Sequence, residues 1–373
     1  MSLFGEDRPL TPVDKRRRRG WTILVVALVL GLVMSFIPSS YVIEQPGPVF
    51  NTLGSQEVGG EEVPVISISG EPTFPTDGAL NMLTVSIVGS PSGTPNWAEV
   101  IRAYFDPSRA VIPLEAIYPP NVTNEQRNDD NAAQMVDSQQ EAVAAALTNL
   151  NYSYDQLLGV TRVATGSPAD GVLQSGDIIK TVNGVPVGTI GDLRTAIATN
   201  GTQKPAAIEI SRGGQVSTVS ITPAQSSAGG APIIGVSVGT TFGFPFDVNI
   251  QLANVGGPSA GMMFALGIID KLTPGSLTGG KDIAGTGTIS PDGTVGPIGG
   301  IRQKLFGARE AGSTFFLSPA ADCAEVRGNI PDGLSVFAVQ TLDDSLAVLA
   351  AVSTGGDTSQ LPTCDTTADA ATP

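Results

Sequence analysis

Ser259 and Lys304 are the residues of this 373-residue chain whose types and settings could do covalent chemistry. Ser259 lies in Asn254-Val255-Gly256-Gly257-Pro258-Ser259-Ala260-Gly261. Lys304, 45 positions on, ends Pro297-Ile298-Gly299-Gly300-Ile301-Arg302-Gln303-Lys304. The chain has no histidine and two cysteines, which closes Ser-His-Asp triads, Cys-His pairs and histidine-based zinc sites. A carboxylate-only metal site or a glycosidase-like carboxylate pair stays formally open among 35 acidic residues, but no spacing singles one out. No metal or other cofactor is expected.

Local pattern favours a Ser-Lys pair. Met262, Ala265, Leu266 and Ile269 fall at i, i+3, i+4 and i+7, which predicts a half-buried helix ending at Thr273-Pro274-Gly275. Ser259 then stands at a helix N-terminus, where free amides and the helix dipole can stabilise an oxyanion. Ile301, Lys304, Leu305 and Ala308 share one face of a second helix, with Arg302, Gln303, Arg309 and Glu310 largely round the other side. An inward lysine is desolvated. A base working near neutral pH needs its pKa about 3 units below the free value, roughly 4 kcal/mol against the charged form, and burial supplies shifts of that size. Taken singly, a serine turn of this kind is usually just a capped turn, and an inward lysine is usually a snorkelling or ion-paired one.

The two motifs together resemble the proteolytic domain of the Lon-type serine peptidases, which pairs a Gly-Pro-Ser-Ala-Gly nucleophile motif with a later Pro-(Ile/Val)-Gly-Gly-(Leu/Ile)-x-x-Lys motif. The resemblance implies an α+β domain of the Lon proteolytic type (ribosomal-protein-S5-domain-2-like), with Ser259 as nucleophile and Lys304 as general base. Ala284-Gly285-Thr286-Gly287-Thr288-Ile289 is similar to the family's Thr-Gly-Glu-Ile strand, so Thr286 is assigned to holding the lysine. Gly257, Pro258 and Ala260 are assigned to the turn or to oxyanion donation. Gly256 departs from the family, many members of which carry an acidic residue there.

The elements that must position this pair extend well upstream. Gly78–Val85 and Met135–Leu147 resemble the strand and the helix that precede the nucleophile-bearing half of Lon-type domains, which implies one catalytic domain split by an insertion. The strand density of Ala79–Ile87 and the alanine-rich Gln134–Leu150 fit a strand and a helix; Asn121–Asn131 between them reads as an exposed loop, and Tyr41–Pro64 says little. Residues 157–224 resemble a bacterial protease-associated PDZ domain. Leu158-Gly159-Val160 stands where that family has its carboxylate-binding loop, Ser167-Pro168-Ala169 reads as a helix start, Asn183-Gly184 as a hairpin turn and Ile190–Ala198 as a groove wall. Such a groove takes peptide termini as an added strand; a domain used only for packing is the alternative. Phe246, Val248, Ile250 and Leu252 alternate as a strand feeding the Ser259 turn, and Phe315–Leu317, Val336–Val339 and Leu342–Val352 read as two strands and a closing helix.

At the N-terminus, Lys15-Arg16-Arg17-Arg18-Arg19 precedes an uncharged run of 17 residues, Trp21–Ile37. A cleaved signal peptide competes with this reading, but no small-x-small cleavage pattern follows. We read a single transmembrane helix with a cytoplasmic N-terminus and the rest outside the cytoplasm. The first 20 residues hold six basic and three acidic side chains, which leaves the remainder at net −18 and unsuited to nucleic acid. Cys323 and Cys364 fall on the outer side, where they can pair as a disulfide; two free thiols are the alternative. Gly275–Lys281 has the spacing of a phosphate-binding loop, but Asp282 replaces the magnesium-binding hydroxyl, so an ATP-independent enzyme is expected.

The expected organisation is a tail over 1–20, an anchor over 21–38, the first part of the catalytic domain over 39–150, a PDZ domain over 151–225, the part carrying the dyad over 230–352 and a flexible tail over 353–373. The expected activity is serine endopeptidase action on protein or peptide substrates, unfolded segments or exposed termini among them. A non-catalytic membrane-anchored PDZ scaffold is the rival, and a homo-oligomer stays open.

Overall fold

A computed structural model describes residues 12–120, 122–226, 230–252 and 255–366. Residues 1–11 and 367–373, which make up much of the two expected tails, lie outside the described residues, as do Asn121, Asn254 and residues 227–229 of the expected linker. In chain order come α1 (Pro12–Met34), β1 (Tyr41–Asn51), β2 (Ile66–Ser69), β3 (Ala79–Val88), α2 (Trp97–Tyr104), β4 (Ala110–Pro113) and the long α3 (Asn124–Asn149). Next are β5 (Asp155–Val163), β6 (Ile178–Val182), α4 (Ile190–Asn200), β7 (Ala206–Arg212), β8 (Gln215–Ile221) and β9 (Val236–Gly243). The chain returns through β10 (Asp247–Ile250), α5 (Gly261–Leu272), β11 (Asp282–Gly285), α6 (Ile301–Glu310), β12 (Phe315–Pro319), β13 (Ser335–Val339) and α7 (Leu342–Ser353).

One mixed sheet runs β13-β12-β11-β3-β1-β4. β13, β12, β11 and β3 are mutually parallel, while β1 is antiparallel to both β3 and β4. Strands from before residue 114 and after residue 281 are therefore hydrogen-bonded into one surface. Parallel strands need both faces covered, and side chains alternate to supply them. Ile283, Leu317, Phe337 and Val339 pack with α3, α5 and α7, whereas Ala284, Phe316, Val336 and Ala338 pack with α6. The second sheet, β8-β7-β6-β5-β9, is antiparallel and closes over its own core with α4. The Asn183-Gly184 turn after β6 has both residues at positive φ, as a two-residue hairpin of this kind requires.

Several expectations change. α5 is buried on every side from Gly261 to Asp270 rather than on one face, because α3, β2 and the sheet enclose it. Gly267 lets β2 approach: a Cβ there would meet Ile66 Cδ1 at 2.8 Å and Thr52 Oγ1 at 2.9 Å. α3 begins at Asn124, inside the stretch read as a loop, because Thr123 and Gln126 form a reciprocal capping box. Ser167-Pro168-Ala169 turns without starting a helix; the Ser167 hydroxyl donates to the Gly235 carbonyl instead. β9 belongs to the second sheet, so that unit extends past the expected limit at 225. Residues 353–366 are not all tail: Cys323 and Cys364 form a disulfide, and the Pro362 carbonyl accepts from the Ala338 amide at 2.9 Å.

The structure does not show the expected transmembrane helix over 21–38 as one element. α1 spans Pro12–Met34, and no described helix is long and apolar enough to cross a membrane. The physical reason is length: the apolar part of α1, Trp21–Met34, is about 20 Å long at 1.5 Å per residue, against about 30 Å of bilayer hydrocarbon. Its side chains are nonetheless exposed on all faces from Trp21 to Val33.

Phe264 is the largest fully buried side chain of α5. Phe264→Ala is expected to cost about 3–5 kcal/mol, read as a lower denaturant midpoint at unchanged m.

Candidate active site

The nucleophile turn is shaped by α3. Gly257, at φ +87°, donates its amide to the Asn131 carbonyl at 3.0 Å, and the Ser138 hydroxyl donates to the Pro258 carbonyl at 2.9 Å. Backbone meets backbone so closely that a Cβ at Gly256 would lie 2.9 Å from Asn131 Cβ, which leaves no room for the acidic residue of the family pattern. The Ser259 carbonyl is fixed from the other side by the Thr286 hydroxyl at 2.8 Å and the Gly287 amide at 2.9 Å. Ser259 itself is half-buried, two residues before α5 begins.

α6 delivers the lysine. Gly300, in the left-handed region at φ +69°, turns the chain into the helix, and Ile301, Leu305 and Ala308 seat it on the sheet. Gln303, expected on the outer side, is buried as well. Lys304 is 2% exposed, with Nζ 2.8 Å from Ser259 Oγ and 3.0 Å from Thr286 Oγ1. Thr286 spends its one hydrogen on the Ser259 carbonyl, so towards the amine it can only accept. A neutral Lys304 therefore gives an N–H to Thr286 and keeps its lone pair for the Ser259 hydroxyl.

Burial pushes the Lys304 ammonium down to about 8, against the pull of the Asp322 and Glu44 carboxylates, which favour the charged form. Burial in turn pushes Asp322 up to about 6, opposed chiefly by the Ile298 amide, which donates to its Oδ2 at 3.1 Å. Glu44 is raised too, first by burial and then by Glu325. Sequence reasoning missed Asp322, Glu44, Asn131 and Ser138. Glu44 lies in a stretch without a readable pattern, and the others act through folds of the chain that no local spacing encodes.

Of the residues assigned to the turn or the oxyanion, Gly257 has its amide committed and Pro258 has none, so both are turn residues. Among the described residues no acceptor meets the amides of Ser259 and Ala260, which leaves these two to face an oxyanion. They open on a cleft of about 720 Å3 whose apolar lining includes Phe50, Met82, Leu83 and Met135, with Lys304 at its edge.

Leu158, Gly159 and Val160 do not line a groove. They lie inside β5, between β6 and β9, with Leu158 and Val160 buried in the core of the second sheet. A groove of about 450 Å3 runs instead between α4 (Leu193, Ile197) and Ile233–Val238. Among the described residues, no acceptor meets the Ile234 and Gly235 amides at its end. Gly235 is required there, at φ +80° and with Ser167 Cβ only 2.1 Å from where its own Cβ would lie. The missed signal was Ile234-Gly235-Val236, which has the same apolar-Gly-apolar form as Leu158-Gly159-Val160. In Gly275–Lys281, hydroxyls of the loop itself accept from the Gly279 and Gly280 amides, so these do not form a phosphate cradle.

Two protein families match parts of the chain. Residues 253–352 match the Lon protease (S16) C-terminal proteolytic domain, and residues 133–222 match the PDZ domain family. Lon protease 2 of Herpetosiphon aurantiacus is 38% identical over 109 residues, covering 27% of this chain and 13% of that protein. Lon protease 1 of Sorangium cellulosum is 40% identical over 94 residues, 24% of this chain and 11% of that protein. The chain thus spans only a small part of the length of these relatives. The PDZ domain of an SdrC-like protein from Listeria monocytogenes aligns with 23% of the chain and 90% of its own length at 23% identity, with a TM-score of 0.21. The chain carries a PDZ domain and a Lon-type proteolytic domain of mixed α/β structure, and these matches support a serine protease of the Lon family.

An NMR titration of the lysine Cε resonances should show Lys304 losing its proton near pH 8. Asp322→Asn keeps an acceptor for the Ile298 amide but removes the carboxylate that favours the ammonium, so the midpoint should fall. A rise in the midpoint would contradict the electrostatic account.

Proposed function

We propose that this protein is an ATP-independent serine endopeptidase that works through a Ser259–Lys304 dyad, held at a membrane by the whole apolar run Trp21–Ile37, of which α1 supplies the helical part, with its catalytic part outside the cytoplasm. The observation that carries the reading is the 2.8 Å approach of a nearly dry amine to one hydroxyl. As Ser259 Oγ attacks the scissile carbonyl, Lys304 Nζ takes its proton and the carbonyl oxygen becomes an oxyanion facing the Ser259 and Ala260 amides. Collapse breaks the C–N bond, Lys304 returns the proton to the leaving amine, and an acyl-Ser259 remains. Water, deprotonated by the again neutral Lys304, then releases the acid and restores the hydroxyl. Thr286 touches no reacting atom; it is a positioning residue that aims the lone pair.

The apolar lining of the cleft favours an apolar side chain beside the scissile bond, and an extended, unfolded segment is what such a cleft admits. The Cys323–Cys364 disulfide suits an oxidising compartment outside the cytoplasm. The closed Gly275–Lys281 loop supports a reaction without ATP. In the PDZ domain the edge strand β9, together with the Ile234 and Gly235 amides that no acceptor meets among the described residues, fits an extended peptide ending in a carboxylate.

Digestion of an unstructured casein-like substrate by the whole chain tests the dyad. Turnover should rise with pH through about 8 and be unchanged by ATP, and Ser259→Ala should fall to background. Lys304→Ala should lose about 100- to 10,000-fold, the range of general acid–base catalysis. Equal turnover in all three proteins would leave a non-catalytic scaffold as the reading. For the PDZ groove, fluorescence anisotropy should show a peptide with a free apolar C-terminus binding, and both its C-terminal amide and a Leu193→Asp variant should weaken that binding.

A further inference from the structure

α2 leaves an apolar stripe uncovered beside the end of α1. Val100 and Ala103 bury one side of this helix against the domain, while Trp97, Ile101, Tyr104 and Phe105, at i, i+4, i+7 and i+8, share another side. Tyr104 and Phe105 are 77% and 80% exposed, and their rings meet each other edge to face at 5.6 Å between ring centres. The stripe is tied to the end of the N-terminal apolar run. The Trp97 amide donates to the Ile37 carbonyl, the Ser39 amide donates to the Pro95 carbonyl at 2.9 Å, and Pro38 bridges Asn96. Phe36, 78% exposed, and Ile37 therefore adjoin the stripe.

We propose that α2 docks in the headgroup zone of the same bilayer that α1 enters, so that Phe36, Ile37, Ile101, Tyr104 and Phe105 form one interfacial apolar surface. This rests on the membrane attachment proposed above. Three observations favour lipid over a protein partner. The patch continues in the chain from a helix whose apolar side chains are exposed on every face, which is how a segment meets lipid. Its composition, two aromatic rings with a tryptophan at the margin, is that of an interfacial belt. The roughly 20 Å apolar length of α1 falls short of the bilayer core, and an adjoining apolar surface at its outer end offsets that mismatch. Glu99 and Arg102, on the remaining side of α2, balance in charge, so the docking is apolar and does not need anionic lipid.

The docking fixes the height of the active site. β1 starts at Tyr41, whose ring meets Trp97 of α2 edge to face at 5.8 Å between ring centres, and passes Glu44 and Phe50 into the cleft. At about 3.4 Å per residue, Phe50 stands no more than roughly 30 Å from the start of the strand. The cleft thus works on segments close to the membrane surface.

The test uses the full chain in phosphatidylcholine liposomes, with an environment-sensitive fluorophore on Tyr104→Cys or Ile101→Cys and on Val185→Cys in the PDZ hairpin as the aqueous control. The α2 probes should show blue-shifted emission, a severalfold gain in intensity, and stronger quenching by headgroup-region than by bilayer-centre nitroxide lipids. The Val185→Cys probe should show none of these. If the chain floats with the vesicles and resists alkaline extraction but the α2 probes stay aqueous, the docking is wrong and the attachment stands. If the chain does not float, the attachment fails and takes the docking with it. Shielded probes that no lipid quencher reaches would mean that protein covers the patch, which also overturns the proposal.

Discussion

The structure depends on keeping one amine dry. Lys304 projects from α6 into the layer between helix and sheet, where apolar neighbours exclude water and Thr286 directs the lone pair. Ile301, Leu305 and Ala308 seat the helix so that the side chain cannot swing out to solvent. Thr286 and the Gly287 amide hold the Ser259 carbonyl, which sets the serine's backbone before its hydroxyl can be aimed. The opposing carboxylates of Asp322 and Glu44 keep the desolvation from going too far. An amine with no negative charge nearby would be a much weaker base, and one fully paired with a carboxylate would stay protonated. Burial and partial compensation together leave it near 8, the range that the proposed role as a general base requires.

α3 is the element that both halves of the molecule share. Its Asn131 carbonyl and Ser138 hydroxyl shape the turn before the nucleophile, and Met135 lines the cleft. On another side, Asp137, Gln140 and Glu141 line a shallow cavity of about 380 Å3 together with Gly239, Thr240 and Phe242 of the second sheet. β9, the edge strand whose Val236 and Val238 wall the groove beside α4, is thus the strand that packs on α3. The PDZ unit is not a loosely tethered bead. Its groove-bearing strand abuts the helix that fixes the serine turn.

Much of this was legible because it is local. The Ser259 and Lys304 motifs, the face that Lys304 shares with Leu305, the Asn183-Gly184 turn and the alternation of Phe246, Val248 and Ile250 each lie within a window where period and turn chemistry decide the structure. The failures have different causes. Leu158-Gly159-Val160 and Ile234-Gly235-Val236 are near-identical short patterns, and only the sheet order, with β9 at the edge and β5 inside, decides which of them faces a groove. Asn124–Asn131 is polar enough to resemble a loop, yet a capping box starts a helix there. Asp322 and Glu44 act on Lys304 across sequence separations that no periodicity reports.

The same distinction bears on the glycines of the nucleophile motif, which a sequence can only call permissive. Gly257 is a conformational glycine: its φ is positive and nothing stands where its Cβ would be. Gly261 has a different role. A Cβ there would lie 2.8 Å from Ile289 Cγ2 and 3.0 Å from the Ser138 hydroxyl, so a side chain would push α5 away from both the strand after Thr286 and the helix that holds Pro258. The first glycine lets the chain turn; the second lets three elements converge. The convergence is what brings the buried Lys304 amine to within 2.8 Å of the Ser259 hydroxyl.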